Sequence, residues 1–246
     1  MIKLMWNIFK KEFLSFFNTP AGYIILAIFF VGAALLLWVF PGEYNVLNAG
    51  YASIDGIFVM SPWLFLFLCP AVSMRLIAEE RQQGTLELLL TKPIHKFTLV
   101  LGKFSAAWGV MLVAILPIIL WYGSVYVLAE PMGNVDSGAF WGSFLGLVFF
   151  SAAYSAIGLF GSSLTSNQVT AFVVAALISF CMFYGFELIS ALFTDGVISL
   201  YIKNMGIHAH YLSMSRGVLD SRDVLYMLIV TVLFLLLASL SLSRKK

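Results

Sequence analysis

The chain alternates long apolar stretches with short polar ones. Six stretches of mostly apolar residues run over 21–40, 57–77, 104–128, 139–164, 169–193 and 224–242. An α-helix rises about 1.5 Å per residue and the hydrocarbon core of a bilayer is about 30 Å thick, so each stretch is long enough to cross once. None shows the period-two alternation that a lipid-facing barrel strand requires. The pattern predicts an all-α, polytopic membrane protein with six transmembrane helices. Ahead of the first stretch, within residues 1–18, Lys3, Asn7, Lys10, Lys11, Ser15 and Asn18 fall on one helical arc, and Trp6, Ile8, Phe9, Phe13 and Phe16 fall mostly on the other. This predicts an N-terminal in-plane amphipathic helix resting on the bilayer surface, with Glu12 as the exception to its pattern.

Composition sharpens the class. Of 246 residues, 61% are hydrophobic and only 11% charged, and the mean hydropathy is +0.98. A water-soluble surface draws on about 25% charged residues, so this chain must be solvated largely by lipid. A net charge of +2 without a basic run in mid-chain argues against nucleic acid as a partner. Cys69 and Cys181 lie in apolar stretches and give no framework for a disulfide-stapled fold. The first stretch is too long for a secretory signal, and Pro41-Gly42-Glu43 is no small-residue cleavage site, so it reads as a retained span.

Charge also predicts orientation. With six spans both termini share a side, which collects Lys3, Lys10, Lys11, Arg75, Arg81, Lys92, Lys96, Lys103, Arg244, Lys245 and Lys246, against Lys203, Arg216 and Arg222 on the other. Eleven cations against three place both termini in the cytoplasm. No repeat, low-complexity tract or long linker divides the chain, which predicts a single transmembrane domain over 1–246. Gly142 and Gly146, with Ser151 and Ser155 beyond, form a small-residue stripe suited to close helix packing, and Pro70 and Pro117 are expected to kink their spans.

One polar connection stands apart. Between Arg75 and Lys103 lie eight charges, more than a turn between two spans needs. Span two is expected to continue as a helix through Gln83 and to break at Gly84. Thr85 would then cap a second short helix, with Glu87 near its positive end and Pro93 stopping it. Leu86, Leu89 and Leu90 form an i, i+3, i+4 patch suited to a groove on a partner, with Glu79, Glu80 and Arg81 supplying charges for register.

The residues Arg75, Glu79-Glu80-Arg81, Gly84-Thr85-Leu86-Glu87, Leu90 and Pro93-Ile94 resemble the cytoplasmic signature of ABC-2 type transporter permeases, in which this segment is the coupling helix that docks into an ATP-binding subunit. Trp38-Val39-Phe40 with Gly42, Tyr44-Asn45-Val46-Leu47-Asn48, Pro62-Trp63, His210-Tyr211 and the run from Ser215 to Asp223 extend the resemblance, along nearly the whole chain, to the permeases of gliding-motility-associated transporters, the GldF type. The resemblance implies a type V exporter-like fold, an in-plane elbow helix at 1–18, and residence in a bacterial inner membrane. It implies a separate ABC ATP-binding subunit that holds ATP and Mg²⁺, pairing as a homodimer or with a related permease, and an accessory membrane protein with a large extracytoplasmic domain. The sequence agrees that ATP is bound elsewhere. A P-loop needs G-x-x-x-x-G-K-[ST] to cradle phosphates, and the nearest match, Gly102-Lys103, is followed by Phe104 and has Phe97 at the first glycine position. The chain is therefore expected to be no enzyme and to bind no cofactor itself.

Other polar residues suggest an outer gate or pathway: Glu187 in an apolar stretch, and His210, Arg216 and Asp220 in the long segment 195–223. That segment is expected to form two short helices capping the outer end of the path, with Asp220 as an N-cap or partner of Arg222, and with Tyr211, Leu212 and Met214 at the lipid headgroups. His208 and His210 have no further ligands fixed by spacing, so no metal site is predicted. Two other classes remain open at this point: an ATP-independent channel or secondary transporter, and an intramembrane enzyme using His208, His210 and Asp220.

Overall fold

The computed structural model describes residues 2–48, 50, 52–90 and 95–244. Among these, every regular element is a helix. Six helical runs are long and apolar enough to cross a membrane: Gly22–Val39, Asp55–Gln82, Lys96–Leu128, Ser137–Leu164, Gln168–Ser190 and Ser221–Ser243. Each coincides with one apolar stretch. Span three departs most, beginning at Lys96 and not at 104, because Lys96 and Lys103 interrupt the apolar pattern without interrupting the helix.

Helix α1 (Ile2–Phe17) precedes span one, which is α2 (Pro20–Ala34) closed by a π-helical turn, Leu35–Val39. Span two joins α3 (Asp55–Ser73) to α4 (Arg75–Gln82), and α5 (Thr85–Leu90) follows. Span three is α6 (Lys96–Ile115) and α7 (Pro117–Leu128), parted at Pro117, and span four is α8 (Ser137–Leu164). Span five is α9 (Gln168–Phe180), a second π-helical turn, Cys181–Gly185, and α10 (Phe186–Ser190). Two short helices, α11 (Gly196–Lys203) and α12 (Ile207–Met214), lead to span six, α13 (Ser221–Arg244). Each π turn amounts to one residue inserted into an α-helix.

An even number of crossings brings α1, α4, α5, the start of α6 and the ends of α8 and α13 to one end of the bundle. Bonds from Arg75 to Thr19 and from Ser241 to Ser163 close this terminal end. Helices α10, α11 and α12 occupy the far end.

Helix α8 is the centre of the bundle, packed against α3, α4, α6, α9, α12 and α13. Its small-residue face makes this possible. A Cβ on Gly142 would fall on the carbonyl oxygen of Gly217 and 2.6 Å from its carbonyl carbon, and one on Gly146 would lie 2.6 Å from the Cβ of Met214. Glycine at these positions lets α12 and the turn after it lie directly on α8. There Ser143 donates to the carbonyl of Ser215 at 3.0 Å.

Span two needs help from its neighbours, because polar groups freed within it have no water to turn to. Pro70 lies inside α3 without ending it, and the interruption falls instead at Met74. There Ser162 inserts its hydroxyl into the helical ladder, donating to the Met74 carbonyl at 2.7 Å and accepting from the N–H groups of Ile77 and Ala78 at 3.1 and 3.0 Å. Pro62 withholds the N–H that the Phe58 carbonyl, four residues back, would otherwise receive. The hydroxyl of Tyr211 supplies the missing donor at 2.7 Å. This corrects the headgroup placement expected for Tyr211 and Met214: both are buried, and only Leu212 is exposed. Burial holds the Tyr211 phenol well above its ordinary pKa, so it stays a donor.

Candidate functional site

The terminal end is organised around the break after α4. Gly84 adopts φ +69°, a left-handed conformation that suits glycine and stops the helix. The N–H of Gly84 donates to the Arg81 carbonyl at 3.2 Å and that of Gln83 to Glu79 at 3.0 Å. Thr85 differs from its expected role as an N-cap. It is the first residue of α5, and its hydroxyl donates back to the Glu80 carbonyl at 3.2 Å, closing α4.

Three charged residues of the predicted docking segment turn inward. The Arg75 guanidinium lies 5.0 Å over the Phe16 ring and donates to Thr19 at 3.3 Å, tying α4 to the end of α1. Arg81 donates to the Ser163 carbonyl at 2.7 Å, satisfying the last turn of α8 together with Ser241, which reaches the same oxygen at 3.0 Å. Glu80 meets Lys103 of α6 at 2.8 Å. Lys103 is 1% exposed, and its ammonium also reaches Glu12 of α1 at 3.1 Å and the Leu76 carbonyl at 2.6 Å. Lys11 borders this cluster from the solvent side, largely exposed, 3.6 Å from Glu12 and 3.9 Å from Glu80.

The outward face is therefore smaller than the sequence suggests. Gln82, Gln83, Gly84 and Glu87 are exposed, and Glu79 is half-buried and accepts from Gln83 at 3.3 Å. Of the leucine patch, Leu86 is buried in the bundle core and Leu89 is half-buried. Leu90 closes α5, and Pro93 lies outside the described residues. Between α1, α4 and α5 opens a cleft of about 390 Å³ bordered by Lys11, Glu12, Arg75, Glu79, Glu80 and Leu89. Lys103 and Glu12 were missed as partners. The signals for them were a lone cation in an otherwise apolar run and a lone acid on the lysine-rich helix.

At the far end the four residues singled out do not converge. Glu187 meets Lys203 of α11 at 3.1 Å and His208 of α12 at 2.6 Å. His210 faces Asp223 at 2.7 Å and the Asn204 carbonyl at 2.9 Å, stacked on Tyr226 with ring centroids 3.9 Å apart. Helix α12 is thus hydrogen-bonded to span six through His210, while His208 approaches Glu187 of span five without hydrogen-bond geometry, both of their facing atoms being buried and unpaired. Arg216 is exposed, and Asp220 is exposed and accepts from the Arg222 N–H at 2.9 Å, as an N-cap of α13 does. Asp220 does not join the histidines in an enzyme-like cluster. Among the described residues, no group of three or more His, Cys, Asp or Glu side chains is placed to hold a metal ion.

Six apolar crossings among the described residues, with α8 as the central one and polar helices at one end, define a multi-pass helical membrane protein. Residues 39–240 match the model of the ABC-2 family transporter proteins, and the chain belongs to that family. It is also similar to the probable ABC transporter permease protein NosY of Stutzerimonas stutzeri, 29% identical over 164 residues that cover 61% of this chain and 58% of that relative. The chain thus spans less than two thirds of the length of the curated relative it matches. Family membership makes the chain a membrane protein of the ABC transporter class.

Proposed function

We propose that this chain is the permease of an ATP-driven exporter of the gliding-motility-associated type, set in a bacterial inner membrane with both termini and the α4–α5 segment in the cytoplasm. The observation that carries the reading is the helical run Asp55–Gln82, which continues along the end of α8 to the glycine break and the short α5, leaving Gln82, Gln83 and Glu87 exposed. In this reading the outward face docks on an ATP-binding subunit, which holds ATP and Mg²⁺. Leu86, Arg75, Glu80 and Arg81 face inward and join the docked segment to α1, α6 and α8. Closure of two ATP-binding subunits moves α5, and the run through α4 into span two carries that motion to the interface between two permease copies or related permeases. ATP shifts the arrangement only by as much as it favours one state. An accessory membrane protein with a large extracytoplasmic domain completes the complex over α11 and α12.

The test is affinity purification of the tagged chain from membranes, with identification of the co-eluting chains. The Gln82→Lys, Glu87→Lys double variant changes only exposed residues, so it should remain monodisperse while retaining at least about tenfold less ATP-binding subunit, a difference of about 1.4 kcal/mol. Undiminished retention, or labelling of a cysteine at Gln83 from the periplasmic side only, would overturn the proposal.

A further inference from the structure

Lys103 has no role in the docking face, yet its surroundings are the most demanding in the molecule. Its three ammonium protons meet three acceptors: Glu80 at 2.8 Å, Glu12 at 3.1 Å and the Leu76 carbonyl at 2.6 Å. These acceptors lie on α1 and α4, while the lysine itself stands on α6 among buried Leu99, Val100 and Phe104. The second oxygen of Glu80 is buried without a hydrogen-bond partner, so even this complete set leaves a desolvated acceptor.

Such a cluster is a poor way to gain stability. Charges withdrawn from water must recover their hydration, and apolar side chains of similar volume hold a buried site as firmly or more so. What ions provide and methyl groups do not is register. Apolar surfaces can slip by a fraction of a helical turn and remain in contact. An ammonium that slips leaves a charge unpaired in a medium of low dielectric.

We propose that Lys103 is a positioning residue that locks α1, α4 and α6 in a single register, so that a displacement entering at α5 moves span three and α1 together with span two. The transmission part rests on the docking reading above; the register part does not. The cluster then acts as a rigid joint at the base of the lever. It is the route by which span three, which α5 precedes in sequence but which presents none of the outward docking residues, receives the stroke.

The test replaces all three charges at once, Lys103→Met with Glu12→Gln and Glu80→Gln, in the full chain reconstituted in nanodiscs. Thermal unfolding should occur at or above the wild-type temperature. Spin labels at Lys3 on α1 and Leu116 beside Pro117, both exposed, are introduced in a Cys181→Ser background. They should give one narrow distance distribution in the wild type and a broadened or shifted one in the triple variant. In complexes with the ATP-binding subunit, co-purification should be retained within about threefold, while stimulation of ATP hydrolysis by the permease is lost. An unchanged distance distribution, a markedly lower unfolding temperature, or wild-type stimulation in the triple variant would overturn the proposal. If the wild type itself captured no ATP-binding subunit, the docking reading would fall, and the label distances would still decide the register claim.

Discussion

The bond from Tyr211 to the Phe58 carbonyl invites a quantitative experiment, because its reason is visible in the sequence of another helix. Pro62 cannot donate to Phe58, and Tyr211, 153 positions away in the chain, does so at 2.7 Å. Phe58 and Tyr211 are 0% and 2% exposed, so water does not readily replace the hydroxyl. Tyr211→Phe keeps the ring and its contact with Phe150, centroids 4.6 Å apart, while removing only the donor. The expected loss is that of a buried acceptor left bare, about 1–3 kcal/mol. Pro62→Ala returns an N–H to the helix at the position that serves Phe58. In that background Tyr211→Phe should cost about 1 kcal/mol or less, since the carbonyl keeps one partner. A double-mutant cycle by reversible unfolding in detergent micelles should therefore show a coupling of about 1 kcal/mol, taking the middle of the first range, beyond the 0.3–0.5 kcal/mol within which independent sites usually add. Additive effects, or a Tyr211→Phe variant as stable as the wild type, would refute the view that α12 supplies what the proline withholds.

Two further predictions concern packing and charge. Gly142→Ala drives a methyl group onto the Gly217 backbone and should destabilise by about 1–3 kcal/mol, whereas Gly123→Ala, with open space around it, should be neutral or stabilising by up to about 1 kcal/mol; equal unfolding temperatures for the two would remove close approach as the reason for the α8 glycines. Lys103→Met alone leaves Glu12 and Glu80 facing only the exposed Lys11 and should cost about 3 kcal/mol, with Glu12→Gln and Glu80→Gln restoring the wild-type stability; a single variant as stable as the triple would show that the carboxylates are not held by the lysine.

The spans were legible because a bilayer imposes a length and a polarity that single residues seldom override. The end of α4 was legible at Gly84, where the backbone itself required a particular residue. Orientation of the polar side chains was not. Arg75, Glu80 and Arg81 read as a surface meant for another chain, since an amphipathic pattern records that charges need partners and not whether those partners lie in the same molecule. Their partners here, Phe16, Lys103 and the Ser163 carbonyl, are remote in sequence, and two of them are not charged. Tyr211 was misplaced for a related reason. An amphipathic ring suits a headgroup region as well as it suits a buried carbonyl, and only the missing proton of Pro62 distinguished the two.

The π turn in span five has a consequence for Glu187. One additional residue advances a helix by about 100°, so the five residues Cys181–Gly185 rotate everything beyond them relative to an unbroken α-helix. That rotation helps aim the carboxylate two residues further on at Lys203 and His208. Deleting the codon for Cys181 or Met182 would swing the Glu187 anion around the rod, away from Lys203 and His208, with Glu187 and both of its neighbours left in the sequence.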